Sequence, residues 1–150
     1  MTGPHTVLAF DFGLKRIGIA SGDTLTRQAA PRAAVAMLAS GPDWQGIARE
    51  VGALGPSILV VGAPYNVEGS RGALLAAARR FAAELERRFA LPVQLVDERY
   101  SSLEASEALR KRRASGERRR RVARSDIDSA AAAVILDRWF QGEGGGNRQR

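Results

Sequence analysis

The chain has 150 residues, 45% hydrophobic and 26% charged, enough for one packed domain and too few for two. It has no cysteine and a single histidine, His5. Disulfides, thiol nucleophiles, iron–sulfur clusters and zinc cages are thereby excluded, and a Ser-His-Asp triad would have to use a residue next to the terminus. The net charge is +7, yet residues 110–124, RKRRASGERRRRVAR, carry nine bases and one acid, so the rest of the chain is close to neutral.

Clustered cations release counterions when they meet a phosphate backbone, so this segment points to a nucleic acid, with a solvated charge run as the plain alternative. No apolar stretch approaches the roughly 18 residues needed to cross a bilayer, and MTGPHTVLAFDFG lacks the pattern of a signal peptide. A cytoplasmic protein without membrane contact is expected. Hydrolytic chemistry in such a chain must run on carboxylates, which prefer hard cations such as Mg2+ or Mn2+.

In chain order, TVLAFDF (6–12) and RIGIAS (16–21) are two apolar runs joined by a glycine-containing link, which predicts a β-hairpin. A third strand is expected within residues 24–37, blurred by Pro31 and several alanines. Residues 43–54 place Trp44, Ile47, Val51 and Leu54 at helical spacing, with Asp43 as cap. SILVVGAP (57–64) reads as a central strand buried on both faces. After Ser70, the spacing of Leu74, Ala78, Phe81, Leu85 and Phe89 predicts a long amphipathic helix. Pro92 and a strand in VQLVDE (93–98) follow. A helix is then predicted from Ser101, boxed by Glu104, to about Arg110. The final helix is predicted over 126–141, leaving residues 142–150, which include GEGGGNRQR from 142 onward, as a flexible tail to a single domain over 1–141. The implied architecture is α/β, a mixed sheet that begins antiparallel and continues through crossovers.

Three acids fall at informative places: Asp11 at the end of the first strand, Glu98 at the end of VQLVDE, and Asp128 near the start of the last helix. First strands and those after crossovers tend to be adjacent, so two of these groups are candidates for one sheet edge, and the terminal helix is the element that would bring the third. Converging carboxylates repel unless a cation lies between them, which makes a divalent metal the natural companion. Each acid also has a bland explanation. Asp11 fits a turn before Gly13, Glu98 fits an ion pair with its neighbour Arg99, and Asp128 fits a capping box with Ser125, or Asp126 is itself the cap.

DFGLKRIGIA (11–20), VVGAP with EGS (60–70), VDERYSSLEA (96–105) and DSAAAAVIL (128–136) together resemble the YqgF family, also called RuvX. Four motifs in order across residues 6–140 are far more specific than any one of them. The resemblance implies a ribonuclease H-like fold with Asp11, Glu98 and Asp128 at the catalytic, metal-binding positions. Its members carry the names Holliday junction resolvase and nuclease for pre-16S ribosomal RNA. Related resolvases place a fourth acid one helical turn from the last; here the residue three before Asp128 is Ser125, and Asp126 lies off that face.

Substrate-binding candidates are Lys15, Arg16, Arg99, Arg110, Lys111, Arg112, Arg113, Arg118, Arg119, Arg120 and Arg121, together with Ser70, where a strand end leads into a helix N-terminus. Gly13 would let the backbone turn tightly beside the metal and Gly18 would permit close approach of a substrate strand, with plain hairpin chemistry as the alternative for both and the favoured one for Gly18. Trp44, Trp139 and the phenylalanines sit at core spacing and do not read as base-stacking platforms. The expected function is a metal-dependent endonuclease maturing the 16S rRNA precursor, as a monomer or homodimer. A Holliday junction resolvase, which needs two symmetric sites and hence a dimer, is the alternative. A non-catalytic RNA-binding protein and an actin-like nucleotide-binding domain stand further off, the latter because only one phosphate-loop-like motif is present.

Overall fold

The computed structural model describes residues 5–63, 70–97 and 124–142. Strands β1 (Thr6–Phe12) and β2 (Arg16–Asp23) pair antiparallel from Thr6↔Asp23 to Phe12↔Ile17, which is the predicted hairpin. A Cβ at Gly13 would stand 2.7 Å from the Arg16 carbonyl oxygen, so the tight link requires glycine.

Strand β3 (Ala29–Leu38) continues the antiparallel part and pairs with the two-residue β4 (Gly41–Pro42). The third strand begins inside the expected 24–37 window and runs one residue past it; it starts only at Ala29 because Asp23 organises a turn first. Its Oδ1 accepts from the backbone N–H groups of Leu25 and Thr26 at 2.9 and 2.8 Å, and Arg27 follows at φ 56°.

Helix α1 (Trp44–Leu54) starts where expected. The Asp43 carboxylate accepts from the Gly46 N–H at 3.1 Å, and Gly55, left-handed at φ 58°, ends the helix with its N–H on the Val51 carbonyl. Strand β5 (Ile58–Ala63), helix α2 (Ser70–Phe89) and strand β6 (Val93–Asp97) follow the predicted order. Helix α3 (Arg124–Gly142) begins two residues earlier than predicted. Ser125 and Asp126 are therefore inside it, and neither serves as the cap. No proline or glycine stands between residues 117 and 125 to stop the helix from extending. The helix predicted from Ser101, and the tail beyond Gly142, lie outside the described residues.

The six strands run β4-β3-β2-β1-β5-β6, with β1, β5 and β6 parallel. Period-two alternation sorts β1 between two cores. Leu8, Phe10 and Phe12 join Ile17, Ile19, Leu59 and Val61 against Ile47 of α1 and Phe81 and Leu85 of α2. On the other face, Val7 and Ala9 join Val60 and Val96 against Ile135, Leu136, Trp139 and Phe140 of α3. Each large apolar chain so buried contributes roughly 1.5–3 kcal/mol.

Candidate active site

Asp11 is the next residue in the series Val7, Ala9, so the pleat sends its carboxylate to the α3 face. It is half-buried and lies at the C-terminal edge of the central strand. Its register partners are Gly18 on β2 and Gly62 on β5. Cross-strand partners project to the same face, so the carboxylate stands between two positions that carry no side chain.

Helix α3 crosses this same face with a direction that its packing defines. A Cβ at Gly22 would meet Phe140 at 3.0 Å and Leu136 at 3.2 Å, and the Arg27 guanidinium donates to the Phe140 carbonyl. Gly22 opposes Val7, at the start of β1, so the C-terminal end of α3 sits over the N-terminal end of β1. Its first turns accordingly extend toward the Asp11 edge. Ser129 is two helical turns before Leu136, about 10 Å along the axis, while Gly18 is four residues, about 13 Å, from Gly22 along β2. Ser129 is 4% exposed, and its Oγ has no hydrogen-bond partner among the described residues. Small buried residues occur on both elements: Ala9 and Ala20 on the strands, and Ala130, Ala131 and Ala132 on the helix.

Of the three carboxylates expected from the sequence, Asp11 is described in full. Asp128 is described as a helical position immediately before Ser129, and Glu98 follows the last described residue of β6 and lies outside the described residues. β6 itself ends on the same sheet edge, since Asp11, Gly62 and Val96 are in register across β1, β5 and β6. Among the described residues no three acidic or imidazole groups form a metal cluster. Asp11 nonetheless fits a hard cation, because it offers carboxylate oxygen donors from the end of a central strand.

Lys15 lies exposed at the hairpin tip and Arg16 opens β2, which puts two of the expected cations on the edge that carries Asp11. Ser70 is the first residue of α2. Arg99, Arg110, Lys111, Arg112, Arg113, Arg118, Arg119, Arg120 and Arg121 lie outside the described residues. In the sequence, Gly18 reads as hairpin chemistry and Gly62 as part of a loop entry. Their shared neighbour, Asp11, is recognisable only from the register of three strands.

The chain is similar to known proteins over nearly its whole length. A family model described as "RuvX: Holliday junction resolvase" matches residues 5–142. A relative from Legionella pneumophila subsp. pneumophila, named "Putative pre-16S rRNA nuclease", is 42% identical over 134 residues, covering 89% of this chain and 94% of its own. Relatives of the same name from Xanthomonas oryzae pv. oryzae are 44% identical over 135 residues, covering 90% of this chain and 86% of theirs. Among solved structures, "T. thermophilus RuvC in complex with Holliday junction substrate" aligns at a TM-score of 0.56 and 17% identity, over 94% of this chain and 96% of that one. This likeness shows the fold, a ribonuclease H-like mixed sheet.

Proposed function

Because the chain belongs to the RuvX family and is a nuclease, we propose that it is a divalent-metal-dependent endonuclease that hydrolyses phosphodiesters of precursor 16S rRNA. The observation that carries this reading is Asp11, an acid between two glycines at the C-terminal edge of the central strand, on the face toward which α3 brings its first turns. Asp11, Glu98 and Asp128 would hold the metal, which when bound supplies water activation and neutralises charge on the leaving oxygen. The remaining work belongs to the chain. Asp11 orients from a rigid strand, Gly18 and Gly62 admit the substrate backbone beside it, and Lys15, Arg16 and the basic segment hold flanking phosphates.

The names carried by the curated relatives favour ribosomal RNA. The description of the family model favours a four-way DNA junction, which is the second reading. Purified protein should be offered a precursor 16S rRNA fragment and a four-way junction, with Mg2+ or with EDTA. Cleavage of the RNA in Mg2+ alone is expected. Asp11→Asn should lower the rate by more than the roughly 10- to 100-fold loss typical of a residue that only supports a metal ligand. An Asp11→Asn variant as fast as the wild type would sink the reading. Preferential cleavage of the junction by a dimer in solution would transfer it to the resolvase.

A further inference from the structure

On the sheet face opposite Asp11, a cleft of about 310 Å3 opens at the C-terminal end of β1. That volume is at the lower end of small-molecule sites. It is lined by Phe12 of β1, Pro42, Trp44 of α1, and Ala77 and Phe81 of α2, with two charged groups, Arg80 and Glu84. Phe81 anchors the aromatic wall, its ring centroid 5.1 Å from Phe12 and 5.5 Å from Trp44. Phe81 is a core residue, as its helical spacing predicts, whereas Trp44 is only half-buried and lines the opening.

The charges around this cleft do not cancel. Arg80 and Glu84 are four apart on α2 and would ordinarily pair. Glu84 is engaged elsewhere: Arg87 donates to both its carboxylate oxygens, one bond at 3.2 Å, and Arg88 Nε donates to Oε2 at 2.7 Å. These bonds hold the Glu84 carboxyl below its usual range, the Arg87 bond contributing most. Arg88 also lies 4.3 Å over the Trp44 ring. Arg80 is exposed and has no ion-pair partner among the described residues. An apolar aromatic slot with an uncompensated guanidinium on its lining complements a flat ring attached to an anion.

The position of the cleft agrees with such a ligand. Phe12 directly follows Asp11, and consecutive strand residues point to opposite faces, so the cleft and the carboxylate share one sheet edge. A nucleic-acid strand laid across that edge with a phosphodiester at Asp11 can turn a neighbouring base over the edge. We propose that the cleft receives one unstacked nucleobase of the substrate strand beside the cleaved phosphodiester, with Arg80 engaging that nucleotide's phosphate. This rests on the nuclease reading for its substrate class. It adds a selection rule: an unpaired nucleotide next to the cleavage point is preferred, because extracting a base from a duplex costs extra free energy.

The test measures binding in EDTA, where no cleavage intrudes, of the full chain to a short single-stranded RNA and to a sugar–phosphate strand of equal length that lacks bases. Wild type should bind the base-bearing probe about tenfold tighter, the size of one base–aromatic stacking interaction. Ala77→Met, which fills the cleft from a helical position, should abolish that preference, and Arg80→Gln should weaken both probes alike. If Ala77→Met lowers the melting midpoint, the Trp44 indole N–H resonance of the wild type serves instead. It should shift with the base-bearing probe and not with the abasic one, while buried Trp139 stays still. Equal binding of both probes by wild type overturns the proposal, as expected if the cleft were built for a protein partner, and so does a preference that survives in Ala77→Met. Equal binding by a chain whose cleavage depends on Asp11 would remove the cleft alone. A base preference in a chain that never cleaves would remove the nuclease reading and keep the cleft.

Discussion

Gly22 measures how closely β2 meets its surroundings. A Cβ there would lie 2.5 Å from the Gln28 carbonyl oxygen, 3.0 Å from the Phe140 ring and 3.2 Å from Leu136. The side chains could yield by a rotamer change, but the backbone oxygen could not. Gly22→Ala should therefore destabilise the fold by about 1–3 kcal/mol, read as a lower denaturation midpoint in urea. An unchanged midpoint would mean that the turn before β3 relaxes freely. At this same scale Asp11 is legible from the sequence, because VLAFDF alternates in a way that separates Val7, Ala9 and Asp11 from Leu8, Phe10 and Phe12. What the alternation does not reveal is the identity of its neighbours on β2 and β5.

The C-terminal half of helix α3 is tied to the sheet by side-chain hydrogen bonds. Trp139 Nε1 donates to Gln94 Oε1 at 2.9 Å, Arg27 donates to the Phe140 carbonyl, and Asp137 accepts from the Ala29 N–H of β3. Asp137 is exposed, but the protein mass packed beside it partly desolvates the carboxyl and pushes it above its ordinary range, with the Ala29 hydrogen bond opposing. A raised folded pKa on an acid means that the native chain keeps a proton the unfolded chain has lost. Stability therefore falls as pH rises from the unfolded value through the raised folded one, and the cost is fully present above it. Its place near the helix C-terminus acts in the same direction on the charged form. Asp137→Asn keeps an acceptor for Ala29 and removes the cost. It should melt higher than wild type at pH 7, with the gain disappearing below about 3.8, the ordinary carboxyl value. The gain is small because the side chain is exposed and solvent screens its charge. A variant that melts lower at pH 7 would contradict this account.

For the whole molecule, the decisive asymmetry is between a nearly neutral body and the basic run at 110–124. If that run holds phosphates, replacing Arg118, Arg119, Arg120 and Arg121 by glutamine should weaken RNA binding uniformly across sequences. The slope of log K against log salt should flatten by roughly 0.7 for each phosphate of a single strand that an arginine no longer neutralises. A titration at several salt concentrations measures this, and an unchanged slope would return the run to a solvated role. The cleft preference for a base should survive these substitutions, since stacking carries no counterion signature. Among the described residues no helix is long and apolar enough to cross a membrane.

The order of the elements, the hairpin at Gly13, the capped α1, the spacing of α2 and the family are all legible in the amino-acid string, because backbone sterics and burial periodicity act locally and four motifs recur in order. Periodicity misplaces the start of α3 by two residues, where no breaker halts the helix, and leaves the start of β3 open within its window, where Asp23 holds the chain in a turn first. That Asp11 stands between Gly18 and Gly62 depends on the fold, since register joins residues seven and fifty-one positions apart. Likewise Arg80 is left for a ligand because Glu84 is taken by Arg87 and Arg88, a competition among three cations for one carboxylate that spacing alone does not resolve. Local pattern thus singles out the acid, and strand pairing, which joins distant segments, gives it its working surroundings.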